Sequence, residues 1–247
     1  MLTVFTKYEK KYETGGMDMT LRPKAVILFT RVPLPGKTKT RLYPFLTEEQ
    51  CAALHEAFIK DVYNEIKNFD GDIFLIYTPK NKAGILKNMV NDTACFVPQK
   101  GDNLGERMNF AINSVLEKYQ ACVLIGSDVP LISIGDINEA FNILGSKDVV
   151  ISPTLDGGYY LIGMKSPCDS IFNISYGTDT VFARTEDVVK QSGKSYGVGR
   201  TLFDIDEKDD LLKLVDYLQC DLQHGLSHTR KTRSEERRVG KECRSRW

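Results

Sequence analysis

From residue 25 to residue 218 the chain alternates short apolar runs with stretches in which apolar side chains recur every three or four positions. Ala25–Phe29, Ile73–Tyr77, Ala94–Val97, Cys122–Ile125, Val149–Ser152 and Tyr159–Met164 are compact apolar runs of the kind that strands buried on both faces present, and Ser195–Val198 is a last, weaker one. Helical signals fill the gaps. Thr47 and Gln50 form a capping box ahead of a face carrying Leu54, Phe58, Val62 and Ile66, and a short helix is expected over 83–90. Asn103 and Glu106 open a helix whose buried stripe is Leu104, Met108, Ala111, Ile112 and Val115. Ser133 caps another, Asp179–Gln191 is stopped by Gly193, and Asp206 caps a terminal helix with Leu211, Leu212, Val215 and Leu218. Strands alternating with helices predict one α/β domain, a mainly parallel sheet with helices on both faces.

Chemistry is concentrated where apolar runs stop. Val123-Leu124-Ile125-Gly126-Ser127-Asp128 and Val149 through Asp156-Gly157-Gly158 each end in an aspartate beside small or turn-forming residues. Open α/β sheets bind ligands at the C-terminal edge of their strands, and glycines there let backbone approach a substrate. Asp128 is a natural magnesium or manganese ligand, or else a turn residue. Asp204 and Asp206 stand two apart in an extended segment and project to one side, as chelation requires, although either could cap the following helix. Asp156-Gly157-Gly158-Tyr159 reads either as a tight turn or as a place where backbone meets substrate, with Asp156 as a base and Tyr159 or Tyr160 as a wall.

The loop after the first strand carries Arg31, Gly36, Lys37, Lys39 and Arg41. Gly36-Lys37-Thr38 is not a nucleoside-triphosphatase P-loop, because Arg31 stands where that motif needs glycine. The four cations can neutralise a diphosphate or triphosphate, or simply form a solvated surface loop. Gly105 and Arg107 lie in a helix opening whose free N–H groups suit an anion or a base edge. The histidines add little: His55 reads as a packed or solvated helix residue, and His224 and His228 have helical spacing with no third ligand.

Composition narrows the choice. Lysine and arginine balance aspartate and glutamate at 33 each, so no global field points to nucleic acid or an anionic membrane, and phosphate chemistry must be local. No apolar run approaches a membrane span, and six cysteines without a CxxC pair read as reduced core residues, which together predict a cytoplasmic protein.

The two ends read differently from the middle. Residues 1–18 are polar and Lys/Glu-rich, and Met19 is the expected start of translation, with Gly15-Gly16 encodable as a ribosome-binding sequence. Residues 223–232 are a polar tail. Arg233–Trp247 reads RSEERRVGKECRSRW, whose opening is encoded by the sequencing-adapter start AGATCGGAAGAG, so it is expected to be translated adapter. The domain proper is therefore expected over 19–222.

PLPGKTKTRL, GDNLGERM, GSDVPLI, PTLDGGYYLIG and FDIDEKDDL together resemble a family of bacterial GT-A-type transferases, some linked to arsenosugar biosynthesis, over Lys24–Leu222. More distantly the chain is similar to guanylyltransferases that activate phospholactate or phosphoenolpyruvate. The resemblance implies a single GT-A, Rossmann-like domain, with nucleotide at the first loop and Mg2+ or Mn2+ between Asp128 and Asp204 or Asp206. It departs from glycosyltransferases in lacking a full Asp-x-Asp at Ser127-Asp128-Val129. The first expectation is a transferase that passes a glycosyl group from a nucleotide sugar to a small acceptor, with Asp128 and Asp156 catalytic. The alternatives are nucleotidyl transfer from a nucleoside triphosphate with pyrophosphate release, and a nucleotide-binding module without turnover.

Overall fold

The computed structural model describes residues 22–90, 94–220 and 226–229. Expectations for residues 1–18, His224 and 233–247 fall outside these. Seven strands, β1 (Arg22–Arg31), β2 (Asp72–Thr78), β3 (Cys95–Pro98), β4 (Tyr119–Gly126), β5 (Val149–Pro153), β6 (Tyr159–Met164) and β7 (Tyr196–Val198), form one sheet in the order β3-β2-β1-β4-β6-β5-β7. β1 pairs in parallel with β2 and β4, β2 with β3, and β5 with β7. β6 runs antiparallel to both of its neighbours, β4 and β5. The turn that reverses it is closed by Thr154 N–H donating to the Gly158 carbonyl and Gly157 N–H to that of Thr154.

Six helices cover the faces: α1 (Glu48–Ile66), α2 (Ala83–Met89), α3 (Leu104–Leu116), α4 (Ile134–Ser146), α5 (Val181–Gln191) and α6 (Lys208–Cys220). Strand alternation divides the core in two. Val26, Leu28, Val123 and Ile125 meet α1, α4 and α6 residues such as Phe58, Val62, Phe141 and Leu214 on one face. Ala25, Ile27, Cys122 and Leu124 meet Met108, Ile112 and Val115 of α3 and Val189 of α5 on the other. The expected caps of α1, α3 and α4 form: Thr47, Asn103 and Ser133 each accept from the N–H three residues on, and Thr47 and Ser133 complete full capping boxes.

Three expectations of local structure change. Leu104 is 45% exposed rather than buried, because it sits on the first turn of α3 at the mouth of a cleft, and Leu212 is 51% exposed while Leu214 takes its place in the core. Asp206 does not cap α6. Its carboxylate turns to Lys39 and Arg41, and Asp210 instead accepts from the N–H groups of Asp206 and Glu207. In the stretch read as a polar tail, Leu226 and Thr229 are buried, and Asp61 of α1 accepts from His228 N–H, Thr229 N–H and the Thr229 hydroxyl. Cys51, Cys95, Cys122 and Cys168 are buried, and no helix among the described residues is long and apolar enough to cross a membrane.

Candidate functional site

The C-terminal ends of β1, β2, β3 and β4 open into a cavity of about 690 Å³. Its base is Phe29, Thr30 and Arg31 of β1, Thr78 of β2, Gln99 after β3, and Gly126, Ser127 and Asp128 at and just beyond the end of β4. The first turn of α3, the 154–160 hairpin and the 204–206 segment supply the walls. This is where a parallel sheet leaves its strand-end groups free for a ligand.

Lys39 organises the middle of the site. The residue is in the left-handed region, with φ of 51°, which turns the chain after Thr38 and carries its side chain inward until it is 2% exposed. Its ammonium lies 2.5 Å from Asp128 Oδ1 and 3.2 Å from Asp206 Oδ1, and donates to the Ile205 carbonyl at 2.6 Å. Burial alone would lower the Lys39 ammonium, but Asp128 and then Asp206 outweigh it and hold it above its ordinary value. Burial would likewise raise the Asp128 carboxyl, and Lys39, His55 and Arg31 bring it below the usual carboxylate range. Backbone fixes the same arrangement, since Ile205 N–H donates to the Asp128 carbonyl at 3.0 Å.

Asp128 Oδ1 is enclosed and meets the Lys39 ammonium directly. Among the described residues, no cation stands within ion-pair distance of Asp204. Burial, and then the carboxylates of Asp156 and Asp206, push it up to about 6. Asp156 is held by its own turn, accepting from Thr154 Oγ1 at 2.5 Å and Gly158 N–H at 3.1 Å. The mutual repulsion of Asp204 with Asp156 and Asp206, beside the Asp128 carboxylate, suits a hard divalent cation. Among the described residues, however, no three His, Cys, Asp or Glu side chains are close enough to hold one unaided. A cation here takes the rest of its shell from water or from a ligand's oxygens, as magnesium does.

Of the residues singled out in the sequence, Arg31, Lys37, Lys39, Arg107, Asp128, Asp156, Gly158, Asp204 and Asp206 all line this one cavity. Arg41 lies outside it and bonds Asp206 Oδ2 at 3.3 Å from the exposed side. Gly36, Gly105 and Gly157 do not line it either. Gly36 makes the turn at φ 74° that leads to Lys37. Gly105 lets α3 pack on the Phe172 backbone, and Gly157, at φ 87°, packs on the Asp179 backbone and accepts from Phe182 N–H at the start of α5. These glycines are needed for close chain packing.

Sequence reasoning passed over the polar layer directly below the cavity. The His55 ring, 3% exposed, meets Thr38 Oγ1 at Nδ1 and Ser127 Oγ at Nε2, the latter at 3.0 Å, and Ser127 Oγ meets Thr30 Oγ1 at 2.8 Å. The available signal was His55's place on the buried stripe of α1, four residues after Cys51 and three before Phe58, where a polar residue needs partners. Gln99 was missed too: both amide hydrogens go to backbone carbonyls, those of Thr30 at 3.0 Å and Ile76 at 3.2 Å. Tyr159 and Tyr176 meet through their hydroxyls at 3.3 Å, and burial pushes the Tyr159 phenol well above its ordinary value.

The fold that builds this site is shared with known proteins. Residues 64–178 match the family DUF2064. That family is described as an uncharacterized protein conserved in bacteria. A solved structure from Desulfovibrio desulfuricans G20, described as a "putative nucleotide-diphospho-sugar transferase", is 27% identical and superposes with a TM-score of 0.82 over 87% of this chain and 96% of that one. The fold is therefore that of the nucleotide-diphospho-sugar transferases, as the resemblance implied. Among curated proteins, the 2-phospho-L-lactate guanylyltransferase of Methanocaldococcus jannaschii is 26% identical over 193 residues, 77% of this chain and 80% of that protein. The protein of the same name from Methanobrevibacter smithii is 26% identical over 127 residues, 51% of this chain and about half the length of the relative, at 56%. These comparisons support a transferase.

Proposed function

We propose that the protein is a nucleotidyltransferase that joins a nucleoside triphosphate to a phosphorylated small molecule and releases pyrophosphate. The observation that carries this reading is the buried Lys39 ammonium, flanked in one cavity by Arg31, Lys37 and Arg107 and faced by Asp128, Asp204 and Asp206. Beyond Lys39, whose charge is met by Asp128 and Asp206, three cations together with a divalent ion on the carboxylates suit a triphosphate, and the curated relatives are named guanylyltransferases. Guanosine triphosphate is accordingly the first donor to test.

In this reading an oxygen of the acceptor's phosphate attacks the α-phosphorus of the nucleotide while the bond from that phosphorus to the bridging oxygen breaks. The electron pair leaves with pyrophosphate. The attacking oxygen is already anionic, so no base is required, and Asp156 serves by holding the Thr154–Gly158 turn instead of by taking a proton. Lys37, Arg31 and Arg107 hold and neutralise the triphosphate, while Lys39, whose donors already face Asp128, Asp206 and the Ile205 carbonyl, keeps the carboxylate wall preorganised. Mg2+ or Mn2+, held by Asp128 with Asp204 while Asp206 keeps Lys39 in place, would neutralise phosphate charge and align attack with departure.

Glycosyl transfer from a nucleotide sugar is the second reading, favoured by the name of the Desulfovibrio structure. Against it, Ser127 is spent on His55 and Thr30 and does not supply a second carboxylate beside Asp128. Thermal-shift measurements on the full chain with GTP, the other triphosphates and nucleotide sugars, each with and without magnesium or manganese, separate the two. The expected result is metal-dependent stabilisation by a triphosphate and pyrophosphate release once a phosphorylated acceptor is added. Stabilisation by a nucleotide sugar alone would overturn the proposal in favour of glycosyl transfer, and stabilisation by neither class would leave no nucleotide transferase.

A further inference from the structure

His55 comes from α1, beneath the cavity, yet its ring touches the residue immediately before each member of the central ion pair. Nδ1 meets Thr38, which precedes Lys39, and Nε2 meets Ser127, which precedes Asp128. Thr38, His55 and Ser127 are all buried, at 4%, 3% and 3% exposure, and Ser127 passes the chain of hydroxyls on to Thr30 at the end of β1. The basic loop leaves β1 and the Asp128 turn leaves β4, and this ring is the side-chain link between them one residue below the charges. We propose that His55 is a positioning residue which sets the separation of Lys39 and Asp128 by holding Thr38 and Ser127 at its two nitrogens.

The chemistry of the ring suits that task. A neutral imidazole offers one donor and one acceptor in the plane of a rigid ring, pointing outward from two separate edge positions, and hydroxyls take either role, so a single tautomer satisfies both contacts. Burial lowers the imidazole to about 4 against the opposing pull of Asp128, with Lys39 and Arg31 adding to the fall. Asp128 Oδ1 is 4.0 Å from Nε2, close enough to feel the ring's placement without being its hydrogen-bond partner. Among the described residues, neither the Lys39 ammonium nor the Asp128 carboxylate bonds to its own loop. Lys39 relies on the Ile205 carbonyl and Asp206, 166 and 167 residues further along the chain. An alkyl side chain at position 55 would fill the space but leave Thr38 and Ser127 without that partner, free to shift by tenths of an ångström, enough to matter for charges meeting at 2.5 Å.

The proposal rests on the reading of this cavity as a polyphosphate site, and two readouts on the full chain separate the two. One is competitive acetylation of Lys39, followed by mass spectrometry, which needs no ligand. The other is binding of inorganic tripolyphosphate with magnesium. His55→Leu removes both contacts, whereas His55→Gln places an amide near the Nε2 position and restores the one to Ser127. In folded His55→Leu, Lys39 is expected to acetylate at least about fivefold faster and tripolyphosphate to bind about tenfold more weakly, the scale of one lost charge-assisted contact. His55→Gln is expected to recover part of both. If His55→Leu does not fold, Thr38→Val, which cuts one end of the bridge, takes its place. Unchanged acetylation and unchanged binding in a folded variant would reduce His55 to packing. Failure of the wild-type protein to bind tripolyphosphate or any triphosphate would overturn the functional reading, and the acetylation ratio alone would then decide the role of His55.

Discussion

Replacing Lys39 by methionine keeps the length of the side chain and the left-handed backbone but deletes the charge at the centre of the site. Asp128 Oδ1 and Asp206 Oδ1 lie 2.5 and 3.2 Å from the same nitrogen, so they are at most about 5.7 Å apart. Two full charges at that separation repel by roughly 3 kcal/mol at an effective dielectric of about 20, and by under about 1 kcal/mol in bulk water. Their side chains are 49% and 40% exposed, so water recovers part of the loss and about 1–3 kcal/mol of repulsion is expected. The Ile205 carbonyl loses its donor for about 1 kcal/mol more. Lys39→Met should therefore be about 2–4 kcal/mol less stable in urea unfolding. A vacated carboxylate pair also attracts a divalent ion, so magnesium chloride, compared with sodium chloride at equal ionic strength, should stabilise the variant by at least about 1 kcal/mol more than the wild type. Equal urea midpoints, or the same magnesium increment in both proteins, would refute the assignment of Lys39 as the cation that holds these carboxylates together.

Asp61→Ala removes the acceptor of three hydrogen bonds from residues 228 and 229, and should cost about 3 kcal/mol, with loss of hydrogen-exchange protection at His228 and Thr229 while α1 stays protected. Gly157→Ala and Gly177→Ala both place a side chain at positive φ, 87° and 82°, but only at 157 does the new carbon run into backbone, that of Asp179. Thermal melts should therefore show the first losing on the order of 1–3 kcal/mol more than the second. The Asp148 carboxyl is held below its ordinary value first by the Ser195 hydroxyl and then by the Ser195 N–H. Its stabilising contribution is accordingly present above the unfolded value near 3.8 and lost as pH falls through the lower folded one. A carbon-13 carboxyl titration should find this midpoint depressed in the wild type and raised toward 3.8 in Ser195→Ala.

Much of the fold was legible because burial on both faces leaves an unmistakable pattern. Val26-Ile27-Leu28 and Val123-Leu124-Ile125 could be little else than central strands, and the Asp-Gly-Gly turn already implied that Tyr159–Met164 doubles back. The aspartates at the strand ends were legible for the same reason, since a strand's end in an open α/β sheet has a known address. Side-chain partners across long separations were not. Lysine is rarely buried, so nothing in the loop distinguished Lys39 from Lys37, and only the fold brings Asp206 to it from 167 residues away. His55 looked inert because its partners are 17 residues before it and 72 after it. Gly105 and Gly157 looked like ligand contacts because a glycine that admits a neighbouring chain and one that admits a substrate have the same sequence signature. Leu104 kept helical phase with the core, but periodicity does not register that the first turn of a helix overhangs a cleft.

The reversed strand β6 gives the two sides of the cavity different freedom to change. The basic loop belongs to a long crossover: lengthening or shortening it moves the start of α1, and with it a ring buried beneath the strand ends. The Thr154–Gly158 connection joins strands that already lie side by side, so its length carries no crossover, and Gly157 ties its far end to the start of α5. Doubling such a loop costs only about 0.6 kcal/mol of closure entropy. With Asp156, Gly157 and Gly158 tied to the turn and to α5, a change of partner for the same donor should therefore fall first on Leu155, 69% exposed at the tip, while the phosphate-handling half is inherited intact.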